Sequence, residues 1–265
     1  MKKLTLLFLS LLVARSEAGL VKKSVTYQDG RTKLIGYLVY DDAKTASAKV
    51  PGVLVVPEWW GLNAYAKSRA DQLAQLGYVA FAADMYGDGE STEDPKQAAK
   101  WAAPFEGKPL MAQRAQAALD QLSQMNQVDK SKLAAIGFCF GGSTVQALAY
   151  TGAPLRGIAS FHGGPVDAPA SAKGKVKARF LIMNGAIDKG VTPEKRAALE
   201  KSLDAAGVDY ISIDYAGALH AFTNPDADRI AKEHGLQGMI GYNEKAATRS
   251  WKRMQLFFDN IFASN

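Results

Sequence analysis

The stretch Leu133-Ala134-Ala135-Ile136-Gly137-Phe138-Cys139-Phe140-Gly141-Gly142 decides how this chain is read. An unbroken apolar run ends in Gly-x-Cys-x-Gly, and the small-residue segment Gly142–Thr151 behind it suits a helix. Strand, tight turn and helix in that order form the context of a nucleophile elbow, with sulfur where a serine oxygen more often sits. The turn is so tight that side chains two positions either side of the central residue would collide, hence the glycines. The central side chain is thereby held out at the top of a sheet. The helix behind it aims its N-terminal N–H groups and positive dipole end at the same point. Such surroundings favour a thiolate and can hold an oxyanion. A small cysteine buried beside a close-packed glycine turn would show the same local pattern, so residues elsewhere must decide.

Outward from this stretch, strands and helices alternate. Ser24–Gln28 and Leu34–Tyr40 alternate polar and apolar residues around the turn Asp29-Gly30, which predicts a hairpin. Gly52–Val56 and Val79–Ala83 are short apolar runs of the kind buried on both faces of a sheet, and Gly157–Phe161, Arg179–Asn184 and Val208–Tyr215 continue the series. Helices are predicted over Leu62–Leu76, Pro95–Trp101, Pro109–Met125, Pro193–Ala206 and Glu244–Phe262. Lys44–Lys49 and Asp84–Asp94 are polar loops, and Phe222–Asn243 is expected to be a loop or lid. The alternation implies an α/β fold: a doubly wound, mostly parallel sheet flanked by helices. No Pro-, Gly- or Ser-rich linker divides residues 19–265, so a single domain is expected.

The 265 residues are 48% apolar and 22% charged, an ordinary globular balance with ample material for a core. Residues 1–18 read as a secretory signal: Lys2-Lys3, an apolar run from Leu4 to Ala14, and small residues at Ser16 and Ala18. That run is too short to span a bilayer comfortably, so export to a bacterial periplasm is expected, with no permanent membrane span. Lys2, Lys3 and Arg15 against Glu17 account for +2 of the net charge of +6, leaving +4 spread over the rest. No basic stripe interleaved with aromatics is present, which argues against nucleic acid as a partner. Cys139 is the single cysteine, so no internal disulfide can form, and a free thiol in an exported chain calls for a chemical reason. The three histidines show no ligand spacing, so neither a metal nor another cofactor is expected.

After Cys139 come Asp188, just past the strand Arg179–Asn184, and His220, just past the strand Val208–Tyr215. Both belong where the carboxyl-end loops of an open α/β sheet gather, the region in which such folds bind ligands. Nucleophile, acid and histidine in this chain order is the α/β-hydrolase arrangement. A histidine titrates in the range needed to ionise a thiol, and a carboxylate orients its ring and steadies the imidazolium form. Asp84 and Asp214 are further acids near strand ends, but Asp84 precedes the thiol and Asp214 lies within a strand. His162 follows Gly157–Phe161 and reads as a structural or pocket-wall residue; His234 sits in a charged, solvated segment.

Four motifs in register carry a more specific resemblance: Gly137-Phe138-Cys139-Phe140-Gly141-Gly142, Pro57-Glu58-Trp59-Trp60-Gly61-Leu62-Asn63, Phe161-His162-Gly163-Gly164 and Gly217-Ala218-Leu219-His220-Ala221-Phe222. Together they resemble the dienelactone hydrolase family from about Ser24 to Phe262. The resemblance implies a triad of Cys139, Asp188 and His220. It also implies that Glu58 hydrogen-bonds the resting thiol and helps to deprotonate it. The backbone N–H groups of Phe140 and Trp59 are the implied oxyanion hole. The family's archetype holds its substrate's carboxylate with two arginines; this chain has Gly87, Asp88 and Gly89 at one of those places and Asn224 at the other. Neither asparagine nor aspartate replaces that charge, which points away from dienelactone. An aromatic pocket for a neutral ester is expected instead from Trp59, Trp60, Tyr65, Tyr86 and Phe222, with His162 and Asn224 as further pocket candidates.

The leading expectation is a hydrolase for a small-molecule ester or lactone, working through an acyl-cysteine. A thiol-based binding or redox-sensing protein on the same scaffold is the rival from another class, and a cysteine peptidase is a second enzymatic one. A sensor thiol has no need of a histidine aligned with an acid.

Overall fold

The computed structural model describes residues 19–263; the expected signal at 1–18 lies outside them. A single eight-stranded sheet runs through the molecule: β1 (Leu20–Asp29), β2 (Thr32–Asp41), β3 (Val50–Val56), β4 (Val79–Ala82), β5 (Val128–Phe138), β6 (Gly157–Phe161), β7 (Arg179–Gly185) and β8 (Tyr210–Tyr215). Its order is β1-β2-β4-β3-β5-β6-β7-β8. β1 pairs antiparallel with β2 and β2 with β4, and every pair from β4 to β8 is parallel. The central strands β3 to β7 bury both faces, which is why they read as apolar runs without alternation.

Helices α1 (Asp42–Thr45), α2 (Ala64–Leu76), α3 (Pro95–Ala102), α4 (Pro109–Ser123), α5 (Phe140–Tyr150), α6 (Pro193–Ala206), α7 (Ala227–His234) and α8 (Glu244–Ala263) connect and flank the strands. Their ends follow local chemistry. Asn63 Oδ1 accepts the Ala66 N–H at the start of α2, and Gly77 in the left-handed region ends it. Pro95, Pro109 and Pro193 open α3, α4 and α6, where a missing N–H costs nothing. One large apolar core lies between the sheet and α4, α5 and α6, and a second lies against α2 and α8. This is the α/β, doubly wound arrangement expected, in one domain.

Two segments depart from expectation. Lys44–Lys49 is not loop throughout, because Asp41 caps the short α1 through the N–H groups of Ala43 and Lys44. Phe222–Asn243 is not wholly loop or lid, for it contains α7. Ala227, Ile230 and Ala231 form the buried stripe of α7, and Ile230 packs with Trp60 and Ala98. A stripe only three residues long, among charged neighbours, is too sparse to show as helical periodicity.

Candidate active site

β5 ends at Phe138 and α5 begins at Phe140, so Cys139 carries the whole reversal, at φ 53° and ψ −117°. For a non-glycine residue this backbone is strained and must be held from outside. The Cys139 N–H donates to Phe161 O at 3.0 Å and to His162 Nδ1 at 3.1 Å. Glycine is obligatory on both sides. A Cβ on Gly137 would run into the backbone of Gly141, and one on Gly141 into the carbonyls of Val56 and Pro57. α5 therefore starts hard against the end of β3, with the Phe140 amide among the N–H groups that have no partner inside the helix.

Asp188 and His220 stand on neighbouring loops, after β7 and β8. Gly185 lets those loops touch, since a Cβ there would meet the carbonyls of Ala218 and Leu219. Asp188 Oδ2 lies 2.7 Å from His220 Nδ1, and Asp188 Oδ1 accepts the Gly190 N–H at 2.8 Å. The carboxylate is buried and aimed, which leaves Nε2 of His220 free to face the thiol. Burial alone would lower the imidazole pKa. Electrostatic interaction with Cys139 and hydrogen bonds to Asp188 and Cys139 outweigh it and hold the pKa well above 6.5.

Glu58 sits in the loop after β3, buried at 3% exposure. Burial pushes its pKa up from 4.5 to about 7, against the opposing pull of Asn224, His220 and Arg69. Its Oε2 accepts from Asn224 Nδ2 at 2.8 Å, whereas the side chain of Cys139 hydrogen-bonds His220. The thiol–Glu58 hydrogen bond implied by resemblance is thus replaced here by one to Asn224.

Behind the elbow lies a buried polar chain that spacing could not reveal. Because His162 Nδ1 accepts the Cys139 N–H, its Nε2 carries the proton toward Thr223 Oγ1, 2.7 Å away, and Tyr65 Oη lies 2.6 Å from that same oxygen. Arg69 Nη2 donates to the Thr223 carbonyl at 2.6 Å, and its guanidinium packs over Tyr65, Phe138 and Trp251. Burial, reinforced by the positive charges of His220 and Arg69, holds His162 well below 6.5 and hence neutral. These partners are separated by 23 to 158 residues in the chain, so only the fold brings them together.

A cavity of about 920 Å³ opens at Cys139 and is lined there by Trp59, Phe140 and His220. Of the seven pocket candidates Trp59 lines it, whereas Trp60, Tyr65, Tyr86, His162, Phe222 and Asn224 do not. Trp60 packs under α7, Phe222 and His162 are fully buried, and Asn224 is occupied by Glu58. Tyr86 stacks among Trp101, Phe105 and Phe140, and its hydroxyl donates to Trp59 O at 2.8 Å, fixing that loop. Of the alternative acids, Asp84 accepts the N–H groups of Ile35, Tyr86, Gly87 and Gly89 and organises its own loop. Asp214 pairs with Arg196, away from the thiol. Among the described residues, no three His, Cys, Asp or Glu side chains gather as a metal site. Nor is any helix there long and apolar enough to cross a membrane.

This strand order, with a thiol on the elbow after the central strand, is that of an α/β-hydrolase. The dienelactone hydrolase family profile matches residues 36–262. A dienelactone hydrolase-like promiscuous phosphotriesterase from metagenomic libraries is 40% identical, with TM-score 0.85 over 91% of this chain and 98% of its own. A putative carboxymethylenebutenolidase of Aquifex aeolicus is 26% identical over 88% of this chain and 96% of its own. A probable 2-oxo-3-(5-oxofuran-2-ylidene)propanoate lactonase of a Bradyrhizobium species is 28% identical over 70% of this chain and 78% of its own. The chain belongs to the dienelactone hydrolase family, and it is a hydrolase of ester or lactone bonds.

Proposed function

We propose that the chain hydrolyses neutral carboxylic esters or lactones through a Cys139–His220–Asp188 triad and an acyl-cysteine. The observation that carries this is the 2.7 Å Asp188–His220 pair, whose imidazole hydrogen-bonds the elbow thiol. The raised pKa of His220 suits a thiolate–imidazolium pair. Sulfur attacks the carbonyl carbon, and the oxyanion is received by the N–H groups of Phe140 and Trp59. The tetrahedral species then collapses, expelling the alcohol with the proton carried by His220. Water, deprotonated by His220, attacks the thioester; the acid departs and the thiol is restored. Glu58, with a pKa of about 7 and coupled electrostatically to His220, changes charge near this pair around neutrality.

Neutral substrates are favoured because, among the described residues, the cavity lining holds no arginine and its lysines, Lys108 and Lys175, are exposed. Expression with residues 1–18 and mass measurement of the recovered protein tests export, which rests on those residues alone. The test of the triad is hydrolysis of a chromogenic butyrate ester. Cys139→Ala and stoichiometric alkylation by iodoacetamide should each abolish it, and full activity after either would sink the assignment. One observation favours a second activity: the 40% identical neighbour is a promiscuous phosphotriesterase. A neutral phosphotriester could take the same thiolate attack, and Cys139→Ala is the control for that assay as well.

A further inference from the structure

The cavity at Cys139 is not a compact pocket around the thiol. It continues along α5, touching Phe140, Ser143, Ala147, Tyr150 and Thr151 in turn. These positions recur every three or four residues and so form one face of the helix. From Cys139 to Thr151 that face is about 18 Å long at the helical rise of ~1.5 Å per residue. Pro109, Met111 and Ala112 of α4 make the opposite wall, and Pro165 and Val166 another.

The wall along α5 contains hydroxyls, but each is already engaged. Ser143 Oγ donates to Gly164 O at 2.9 Å, Tyr150 Oη to Val166 O at 2.7 Å, and Thr151 Oγ1 to Leu148 O at 2.7 Å. Their hydrogens are thereby committed, so these side chains offer an occupant no free O–H donor. A sugar or a peptide bound along this face would bury acceptor groups that those hydroxyls cannot satisfy, an unfavourable exchange for the water they leave. The charged lining residues Glu106, Lys108, Asp167 and Lys175 are all exposed and of both signs, so they form a solvated rim rather than a site for an anion.

Direction follows from the triad. The leaving alcohol must sit beside His220 to receive its proton, and His220 lines the cavity only near the thiol. The long arm therefore belongs to the acyl half. We infer that this arm is an acyl-chain site and that the substrates are neutral esters of unbranched aliphatic acids. An extended alkyl chain advances about 1.25 Å per carbon, from C–C bonds of ~1.5 Å meeting near 111°. The arm then takes roughly fourteen carbons before reaching the rim. The inference rests on the triad assignment above and goes beyond it in naming the acid.

The experiment is kcat/KM for para-nitrophenyl esters from acetate to hexadecanoate, all below their micelle concentrations. Burying one methylene is worth ~0.8 kcal/mol, or about fourfold in rate, so the gain from butyrate to octanoate should be at least about tenfold. The optimum should lie near dodecanoate or tetradecanoate. Ala147 is two turns along α5, about 12 Å from the thiol, and Ala147→Trp should move the optimum to octanoate or shorter. Ala112→Phe, from the facing helix, should move it in the same direction. A change in folding alone would lower all the esters together without moving the optimum. A wild type fastest on acetate, with rates flat or falling as the chain grows, overturns the acyl site while leaving the triad standing. So does an optimum unmoved in both variants. Hydrolysis that survives in Cys139→Ala overturns the triad and the acyl site together.

Discussion

Glu58→Gln isolates the energetic cost of a buried carboxylate beside the thiol. Glu58 is 3% exposed, and its pKa is raised from 4.5 to about 7, chiefly by burial. A carboxyl whose pKa is higher in the folded state keeps its proton there while the unfolded chain has lost it. Folding stability contributed by this group is therefore complete below pH 4.5 and is lost as the pH rises to about 7, at about 1.4 kcal/mol per pH unit. Above that it levels off, for a total of about 3 kcal/mol. Glutamine never ionises, and its Oε1 can still accept from Asn224 Nδ2. Relative to wild type, Glu58→Gln should be about neutral at pH 4.5 and more stable by about 3 kcal/mol at pH 8. Urea unfolding of both proteins at each pH reads this directly, because every other titrating group is common to the two and cancels. A difference that stays constant between the two pH values would refute the reasoning, as would a glutamine variant less stable at pH 8.

Asn224→Leu removes a hydrogen bond that favours ionised Glu58, so the decline in wild-type stability with pH should extend upward past 7 in the same urea series. Asp188→Asn keeps the shape of the pair but frees the His220 ring to take the wrong tautomer, and kcat on a butyrate ester should fall by about 10⁴ with little change in unfolding midpoint. Gly141→Ala puts a methyl group into the carbonyls of Val56 and Pro57, and should cost at least about 2 kcal/mol by chemical denaturation.

Legibility differed between parts of the molecule for physical reasons. The elbow is visible in sequence because its glycines answer a local steric demand, and the buried strands because both faces need apolar residues. Asp188 and His220 are found because parallel strands deliver their following loops to one edge of the sheet. The pocket residues are another matter. An aromatic residue announces that it will be buried, not whether it will face a core or a cavity, and Trp60 and Phe222 proved to be core. Asn224 stands where the family's archetype has a carboxylate-binding arginine and instead grips Glu58, 166 residues away in the chain. The true cavity wall, Met111 and Ala112 against Ala147 and Tyr150, is made by two helices whose juxtaposition no local pattern encodes.

The central claim is that the thiol of Cys139 carries the acyl group. Rapid acid quenching of the enzyme mixed with a para-nitrophenyl ester, followed by peptide mass analysis, tests it most directly. The expected result is a burst of about one nitrophenol per active site, with the acyl mass on the peptide containing Cys139. Full turnover with that peptide unmodified, or with the acyl group on Ser143 instead, would contradict it.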